Sequence, residues 1–67
     1  MKMSYKKLWK RMIDLDMSKT DLRQKTGIST VTLAKLGKDQ VVSMEVLMKI
    51  CKVLDCNLYD ICEFVQT

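Results

Sequence analysis

The chain has 67 residues, of which 48% are hydrophobic and 30% are charged, and its formal net charge is +4. This length predicts a single domain over residues 1–67, and the composition excludes a disordered chain. No apolar run is long enough for a membrane span or a secretory signal, so we expect a cytoplasmic protein without a membrane partner.

The first predicted helix follows Ser4, a candidate N-cap. Its apolar residues recur at helical spacing, at Tyr5, Leu8, Trp9, Met12 and Ile13. Because Trp9 lies in this stripe, it is expected to anchor the core, and a stacking platform for a partner is the alternative. The helix is expected to end within residues 14–17.

The next segment predicts a short helix that ends in a glycine turn. Ser18 and Asp21 have the spacing of a capping box, which would begin the helix at Lys19. Gly27 can adopt a positive φ without steric cost, as a helix ending in a left-handed residue requires. Ile28 is then expected to fill the angle between this helix and the next.

Ser29 is the predicted cap of a third helix, which runs from Thr30 to about Leu36. Leu33 and Leu36 are its expected buried residues, and Gly37 is its expected stop. Two short helices around a tight turn form a helix–turn–helix, whose second helix can enter the major groove of duplex DNA.

Two more helices are predicted in the remainder of the chain. Ser43 is expected to cap the fourth, which residues 55–57 end, and Asn57 is expected to cap the fifth. The apolar positions of the fifth helix are Leu58, Ile61, Cys62 and Val65. Alternatively, residues 63–67 are extended, since Phe and Val favour strands. The predicted fold is an all-α bundle of five short helices.

Cysteine usage argues against a metal or redox site. The three cysteines, Cys51, Cys56 and Cys62, form no CxxC pair, and the chain has no histidine. An odd number of cysteines at such spacing indicates a reducing cytoplasm and speaks against zinc. We expect all three to be small apolar residues in or near the core, with no metal and no cofactor.

The positive charge is concentrated in one half of the sequence. Residues 1–38 contain ten Lys or Arg against three Asp, whereas residues 39–67 contain two Lys against five acidic residues. The basic half coincides with the predicted helix–turn–helix. This coincidence favours a polyanion as partner over an ordinary solvated surface.

The leading turn of the third helix has side chains suited to reading DNA bases. Hydroxyl groups of Thr30 and Thr32 can donate to and accept from base edges, and the Val31 methyl groups can pack on a thymine methyl. Lys35, on the same side as Thr32, can reach a guanine or a flanking phosphate. The predicted base-reading residues are Thr30, Val31, Thr32 and Lys35.

Other residues near the two helices are candidates for contact with the phosphate backbone, which gives affinity and register rather than sequence preference. They are Lys19, Ser29, Lys38, Arg23 and Lys25, the last two being weaker candidates. The alternative for all of these positions is that they are ordinary solvated polar residues of a small helical bundle.

Three segments carry a resemblance to a known family: residues 18–36, the following VSMEVLMKICKVLDCNLYDI and the opening SYKKLWKRMI. They resemble the Cro/C1-type (phage-repressor-like, XRE) helix-turn-helix family, in a small stand-alone bacterial branch. The resemblance covers roughly residues 4–64. It implies an all-α, five-helix, lambda-repressor-like DNA-binding domain in which the second and third helices read DNA. It also implies that the candidate base-reading residues fall where family members contact bases, and that a homodimer binds a pseudo-palindromic operator. Arg23 and Lys19 depart from the alanine and glutamine common in the family.

These observations predict a transcriptional regulator, most simply a repressor, that binds double-stranded DNA as a homodimer. The alternative is a protein-interaction module on the same fold, such as an antitoxin or a partner-binding subunit. The exposed Val41–Val42 loop and the Phe64–Val65 end would be its contact surface, or equally the dimer seam. An enzyme with a small-molecule substrate is not expected, because no histidine and no acid pair is available as nucleophile and base.

Overall fold

The computed structural model describes residues 1–66, which form four α-helices and a two-stranded sheet. The elements in chain order are β1 (Lys2–Ser4), α1 (Lys6–Asp14), α2 (Lys19–Thr26), α3 (Thr30–Gly37), α4 (Met44–Leu54), a 3-10 turn (Leu58–Asp60) and β2 (Glu63–Val65). The strands pair antiparallel with Met3 opposite Phe64, so the two ends of the chain lie side by side. None of the helices in this part of the chain is long and apolar enough to cross a membrane.

The predicted fifth helix is wrong: residues 1–66 are mostly helical, but with four α-helices and a short two-stranded sheet. After Asn57 the chain makes one 3-10 turn and then enters β2. The apolar spacing that suggested a helix instead buries Ile61 and Cys62 around the turn, while Phe64 faces solvent. The extended alternative for the tail is confirmed over Glu63–Val65, and Thr67 lies outside the described residues.

The start of the fold also differs from the prediction. Ser4 is the last residue of β1 rather than a helix cap, and Tyr5 is the N-cap of α1, without a side-chain capping bond. Tyr5 is fully buried and joins the N-terminal segment to the loop after α3. Its hydroxyl donates to the Gln40 carbonyl at 2.7 Å, and its N–H donates to Asp39 Oδ1 at 3.2 Å.

The predicted caps of the three later helices are confirmed. Each serine accepts a hydrogen bond from the backbone N–H three residues ahead, in the pairs Ser18–Asp21, Ser29–Thr32 and Ser43–Val46. At the end of α2, Gly27 takes the left-handed conformation with φ 75°, as predicted. Gly37 does not stop α3: the helix includes it and is capped by Lys38, and Asp39 takes the positive φ of 56°.

One core joins the four helices, the turn and the sheet. Its buried side chains are Tyr5, Leu8, Met12, Leu22, Ile28, Leu36, Leu47, Ile50, Leu54, Ile61 and Cys62. Trp9, Leu33, Cys51 and Cys56 are half-buried and pack against this core. Leu33 is therefore less buried than predicted, and Trp9 contributes to the core as expected.

The two glycines provide a matched test of the turn after α2. Gly27→Ala should lower the free energy of unfolding by about 1 kcal/mol, because an L-residue is strained at positive φ. An added Cβ would meet nothing within 4 Å at either glycine, so a steric clash does not contribute. Gly37→Ala, at a helical position, should instead raise the free energy of unfolding by about 0.5 kcal/mol. Urea denaturation measures both, and equal effects would contradict the assigned turn.

Candidate nucleic-acid interface

The leading turn of α3 has two linked hydroxyl groups. Ser29 Oγ accepts the Thr32 N–H at 3.1 Å and lies 3.0 Å from Thr32 Oγ1. The bond between the two oxygens uses only one of their two protons, so the pair keeps one O–H to donate outside the helix. Ser29 therefore caps the helix and retains hydrogen-bonding capacity for a ligand.

Backbone donors and exposed side chains occupy the same turn. The first backbone bond of the helix joins the Leu33 N–H to the Ser29 carbonyl at 3.0 Å, so the N–H groups of Thr30 and Val31 precede the helical ladder. Val31 is 65% exposed, which confirms that it is not used in the core. Thr30 and Lys35 are exposed as well, and Thr32 is half-buried.

The α2–turn–α3 unit is held by its buried leucine and isoleucine side chains. Leu22 of α2, Ile28 of the turn and Leu36 of α3 are all buried in the same core cluster. The Gly27 N–H donates to the Arg23 carbonyl at 2.8 Å, which closes the end of α2. The unit therefore presents the first turn of α3 on a supported helix rather than on a loop.

Lys19 is held at the start of α2 by an aromatic ring. Its Nζ lies 4.6 Å from the centroid of the Trp9 ring, a cation–π contact. Trp9 thus packs on the core with part of its surface and supports a cation with another part. The sequence predicted a phosphate contact for Lys19 and a core position for Trp9, but it did not predict the contact between them.

The remaining phosphate candidates do not form one group. Lys38 is exposed just beyond α3, and Arg23 is half-buried on α2. Lys25 instead lines a shallow surface pocket with Thr26, Val53 and two lysines of α4, Lys49 and Lys52. The sequence assigned these α4 lysines to the acidic half of the chain, so their proximity to Lys25 was missed.

The N-terminus of α2 is fixed by a capping box between Ser18 and Asp21. The Ser18 N–H donates to Asp21 Oδ2 at 3.0 Å, and the Asp21 N–H donates to Ser18 Oγ at 3.0 Å. The backbone N–H and the hydroxyl of Ser18 lower the pKa of the Asp21 carboxyl. The carboxylate also lies at the positive end of the helix dipole, where negative charge is favoured.

Together these groups are suited to binding an anionic, hydrogen-bonding surface. Hydroxyls, free N–H groups and the positive end of the α3 dipole attract phosphate, and a methyl-bearing side chain and a lysine can contact base edges. Within residues 1–66 no three His, Cys, Asp or Glu side chains come close enough to hold a metal ion.

Comparison with known proteins gives one family and one solved structure. The family model described as a Cro/C1-type HTH DNA-binding domain matches residues 7–67. The crystal structure of transcriptional regulator VanUg, form II, is 48% identical and superposes with a TM-score of 0.95, covering 98% of this chain and 88% of that chain. No curated protein matches.

The capping box predicts a specific dependence on pH. A carboxyl whose pKa is lowered in the folded state stabilises the fold above its unfolded pKa, and this contribution is lost as the pH falls through the folded pKa. Ser18→Ala should raise the pKa of Asp21 towards its ordinary value of 3.8. Carbon-detected NMR titration of the carboxyl measures it. Ser43→Ala, which removes the cap of α4, should leave the Asp21 pKa unchanged; an equal shift in both variants would contradict the assignment.

Proposed function

The chain belongs to the Cro/C1-type helix-turn-helix DNA-binding domain family, and from this premise we propose that it is a transcriptional repressor that binds a specific double-stranded DNA sequence. The likeness to a transcriptional regulator over almost the whole chain supports a regulatory role. The observation on which the specific proposal rests is the exposed, hydroxyl-rich first turn of α3. A repressor of this kind would act by occluding a promoter, which requires binding and no catalysis.

In the proposed complex, α3 lies in the major groove and its first turn reads base edges. Thr30 and Thr32 would hydrogen-bond to bases, Val31 would contact a thymine methyl, and Lys35 would bind a guanine or its flanking phosphate. The 65% exposure of Val31 supports this role, since a β-branched residue on the helix surface contributes little to folding.

Phosphate contacts would flank this reading turn. Lys19 at the start of α2, Ser29 at the start of α3 and Lys38 beyond its end are exposed and near the helix termini. The cation–π contact with Trp9 supports Lys19 in particular, because a cation held in place loses less conformational freedom on binding. Arg23 and Lys25 are weaker members of this set, and Lys25 lies with the lysines of α4.

We also propose that two copies bind together, through an apolar surface at the end of the chain. A groove of about 460 Å³ is lined mainly by apolar residues of β1, α4, the 3-10 turn and β2. These residues, the C-terminal face, are Met3, Met44, Leu47, Leu58, Tyr59 and Phe64. The face combines a concave apolar floor with the exposed rings of Tyr59 and Phe64, so it can complement a second copy of itself about a two-fold axis.

Charge at the rim of this face also favours a second copy. Lys7 Nζ and Glu63 Oε2 lie 3.4 Å apart at the edge of the groove. A second copy carries the same two opposite charges at its own rim, so the rims of two copies can be electrostatically complementary. A homodimer would also present two α3 helices to the half-sites of a pseudo-palindrome.

A protein-interaction module on the same fold is the second candidate function. Exposed apolar side chains in two places support it: Val41 in the loop before α4 is 72% exposed, and Phe64 is 68% exposed. An unrelated chain could cover either place. Consistent co-purification with one such chain, together with no preference among duplex sequences, would favour this function over the repressor.

The reading role of α3 is tested on duplexes selected from a random pool. Lys35→Ala should weaken binding to the selected sequence by about 1–3 kcal/mol and relax the preference at one base pair, as should Thr32→Val. Lys38→Ala should weaken binding to all sequences about equally and reduce its dependence on salt. Fluorescence anisotropy at several salt concentrations measures these effects.

Lys10→Ala is the matched control, because it removes one exposed lysine from α1, outside the proposed interface. It should leave the sequence preference intact. With about four to six phosphate contacts per dimer, affinity should fall roughly a hundredfold between about 50 and 200 mM salt. If Thr32→Val and Lys35→Ala leave a mapped footprint unchanged, α3 is not the reading helix.

The dimer is tested by placing charge on the C-terminal face. Phe64→Glu should convert the protein to a monomer and weaken binding to a two-half-site duplex far more than to a single half-site. Its exposed position means that the fold should survive, which circular dichroism checks. Sedimentation equilibrium gives the oligomeric state.

Ile13→Glu is the control for an added charge at an exposed apolar residue, since Ile13 on α1 is 77% exposed and lies outside the face. It should remain dimeric. A wild-type protein that sediments as a monomer even on a two-half-site duplex would refute the dimer, and equal effects of both variants would refute this face.

A further inference from the structure

The end of α4 brings two cysteines together. Asp55 takes the left-handed conformation with φ 53°, and its N–H donates to the Cys51 carbonyl. The next N–H, that of Cys56, donates to the same carbonyl at 3.0 Å. The bond from Cys56 is the six-residue bond of a Schellman motif, and the bond from Asp55 is that of the αL motif. A side-chain contact between the first and the sixth residue frequently accompanies such a helix end. In this chain both of those positions are cysteines.

A second observation places the two side chains on a common surface. Cys51 and Cys56 are both half-buried, and both line one shallow pocket that borders the C-terminal face. The other residues of this pocket are Met44, Leu47, Met48, Asn57 and Leu58, and the first two and the last also line that face. Burial, followed by the neighbouring Cys56 thiol, raises the pKa of Cys51 to about 11. Cys51 is therefore a protonated thiol at neutral pH.

The third cysteine, Cys62, does not line that pocket. Cys62 is buried in the core, and its thiol donates to the Leu58 carbonyl at 3.6 Å. It is a core residue, as the sequence predicted for all three cysteines. The chain thus has one buried thiol with a hydrogen-bond partner and two half-buried thiols that line the same pocket.

We propose that Cys51 and Cys56 form a dithiol site that a small-molecule disulfide oxidises to an intramolecular disulfide. The assignment rests on the geometry at the end of α4 and is independent of the proposed DNA binding. A disulfide requires Cα atoms about 4.4–6.8 Å apart. The hydrogen bond from the Cys56 N–H to the Cys51 carbonyl already folds the chain back at this point and brings the two residues near each other.

The reaction consists of two exchange steps. One cysteine sulfur, after losing its proton, attacks a sulfur of oxidised glutathione, forming a mixed disulfide and releasing one glutathione. The second cysteine then attacks the cysteine sulfur of the mixed disulfide and releases the second glutathione. The protein loses two electrons and two protons, and the oxidised glutathione gains them as two thiols.

The test equilibrates the reduced, folded protein with mixtures of reduced and oxidised glutathione and then traps free thiols by alkylation. Intact mass and peptide mapping should show a linked Cys51–Cys56 pair, an alkylated Cys62 and no retained glutathione. The Cys51–Cys56 pair should be half-oxidised at a more reducing mixture of reduced and oxidised glutathione in native buffer than in urea. We expect a difference of at least about tenfold, because the fold holds the two thiols together and so favours the disulfide.

Three variants separate the pair from the lone thiol. Cys51→Ala and Cys56→Ala should each stop at the glutathione adduct, whereas Cys62→Ala should form the same disulfide as the wild type. Any of three results would overturn the proposal. They are a glutathione adduct retained in the folded wild type, a disulfide that includes Cys62, and half-oxidation in native buffer at a mixture no more reducing than in urea. The comparison of native protein with urea uses the wild type alone and holds even if a variant fails to fold.

Discussion

The left-handed backbone at Gly27 is the constraint on which the rest of the proposed interface depends. It ends α2, directs Ile28 into the core and lets Ser29 begin α3 two residues later. The turn is held from both sides, because the Thr26 hydroxyl donates to the Leu22 carbonyl at 2.7 Å and accepts from the Ile28 N–H at 3.4 Å. The direction of α3, and with it the exposure of its first turn, follows from this reversal.

The parts of this fold that sequence reasoning predicts are those fixed within four residues. A serine just before an amphipathic segment can accept the backbone N–H three residues ahead, and this local rule predicts the caps at Ser18, Ser29 and Ser43. It fails at Ser4, which pairs with Glu63 in the sheet instead. The exposure of Val31 also follows from a local rule, because this residue lies off the apolar side of a regular helix. These local rules give the helix–turn–helix and the candidate reading turn almost completely.

The failures all involve contacts between distant parts of the chain. β2 is a strand because β1 pairs with it from the other end of the sequence, which no local periodicity can indicate. The loop after α3 also depends on a distant residue, because the Asp39 carboxylate accepts the Tyr5 N–H at 3.2 Å. In this loop Asp39, rather than Gly37, takes the positive φ. A three-residue strand is also too short to show alternation. Tertiary partners therefore decided the elements at both ends.

A chain reversal and a helix–helix contact explain why local patterns did not predict the cysteine pair and the lysine group. Helical templates relate residues three or four apart, and the CxxC template relates thiols three apart. A left-handed residue such as Asp55 turns the chain back and joins residues five apart, which neither template includes. Lys25 meets the α4 lysines through the packing of α2 on α4, again beyond any local pattern. The same type of backbone reversal thus does two things in this chain: at Gly27 it presents α3, and at Asp55 it pairs two cysteines.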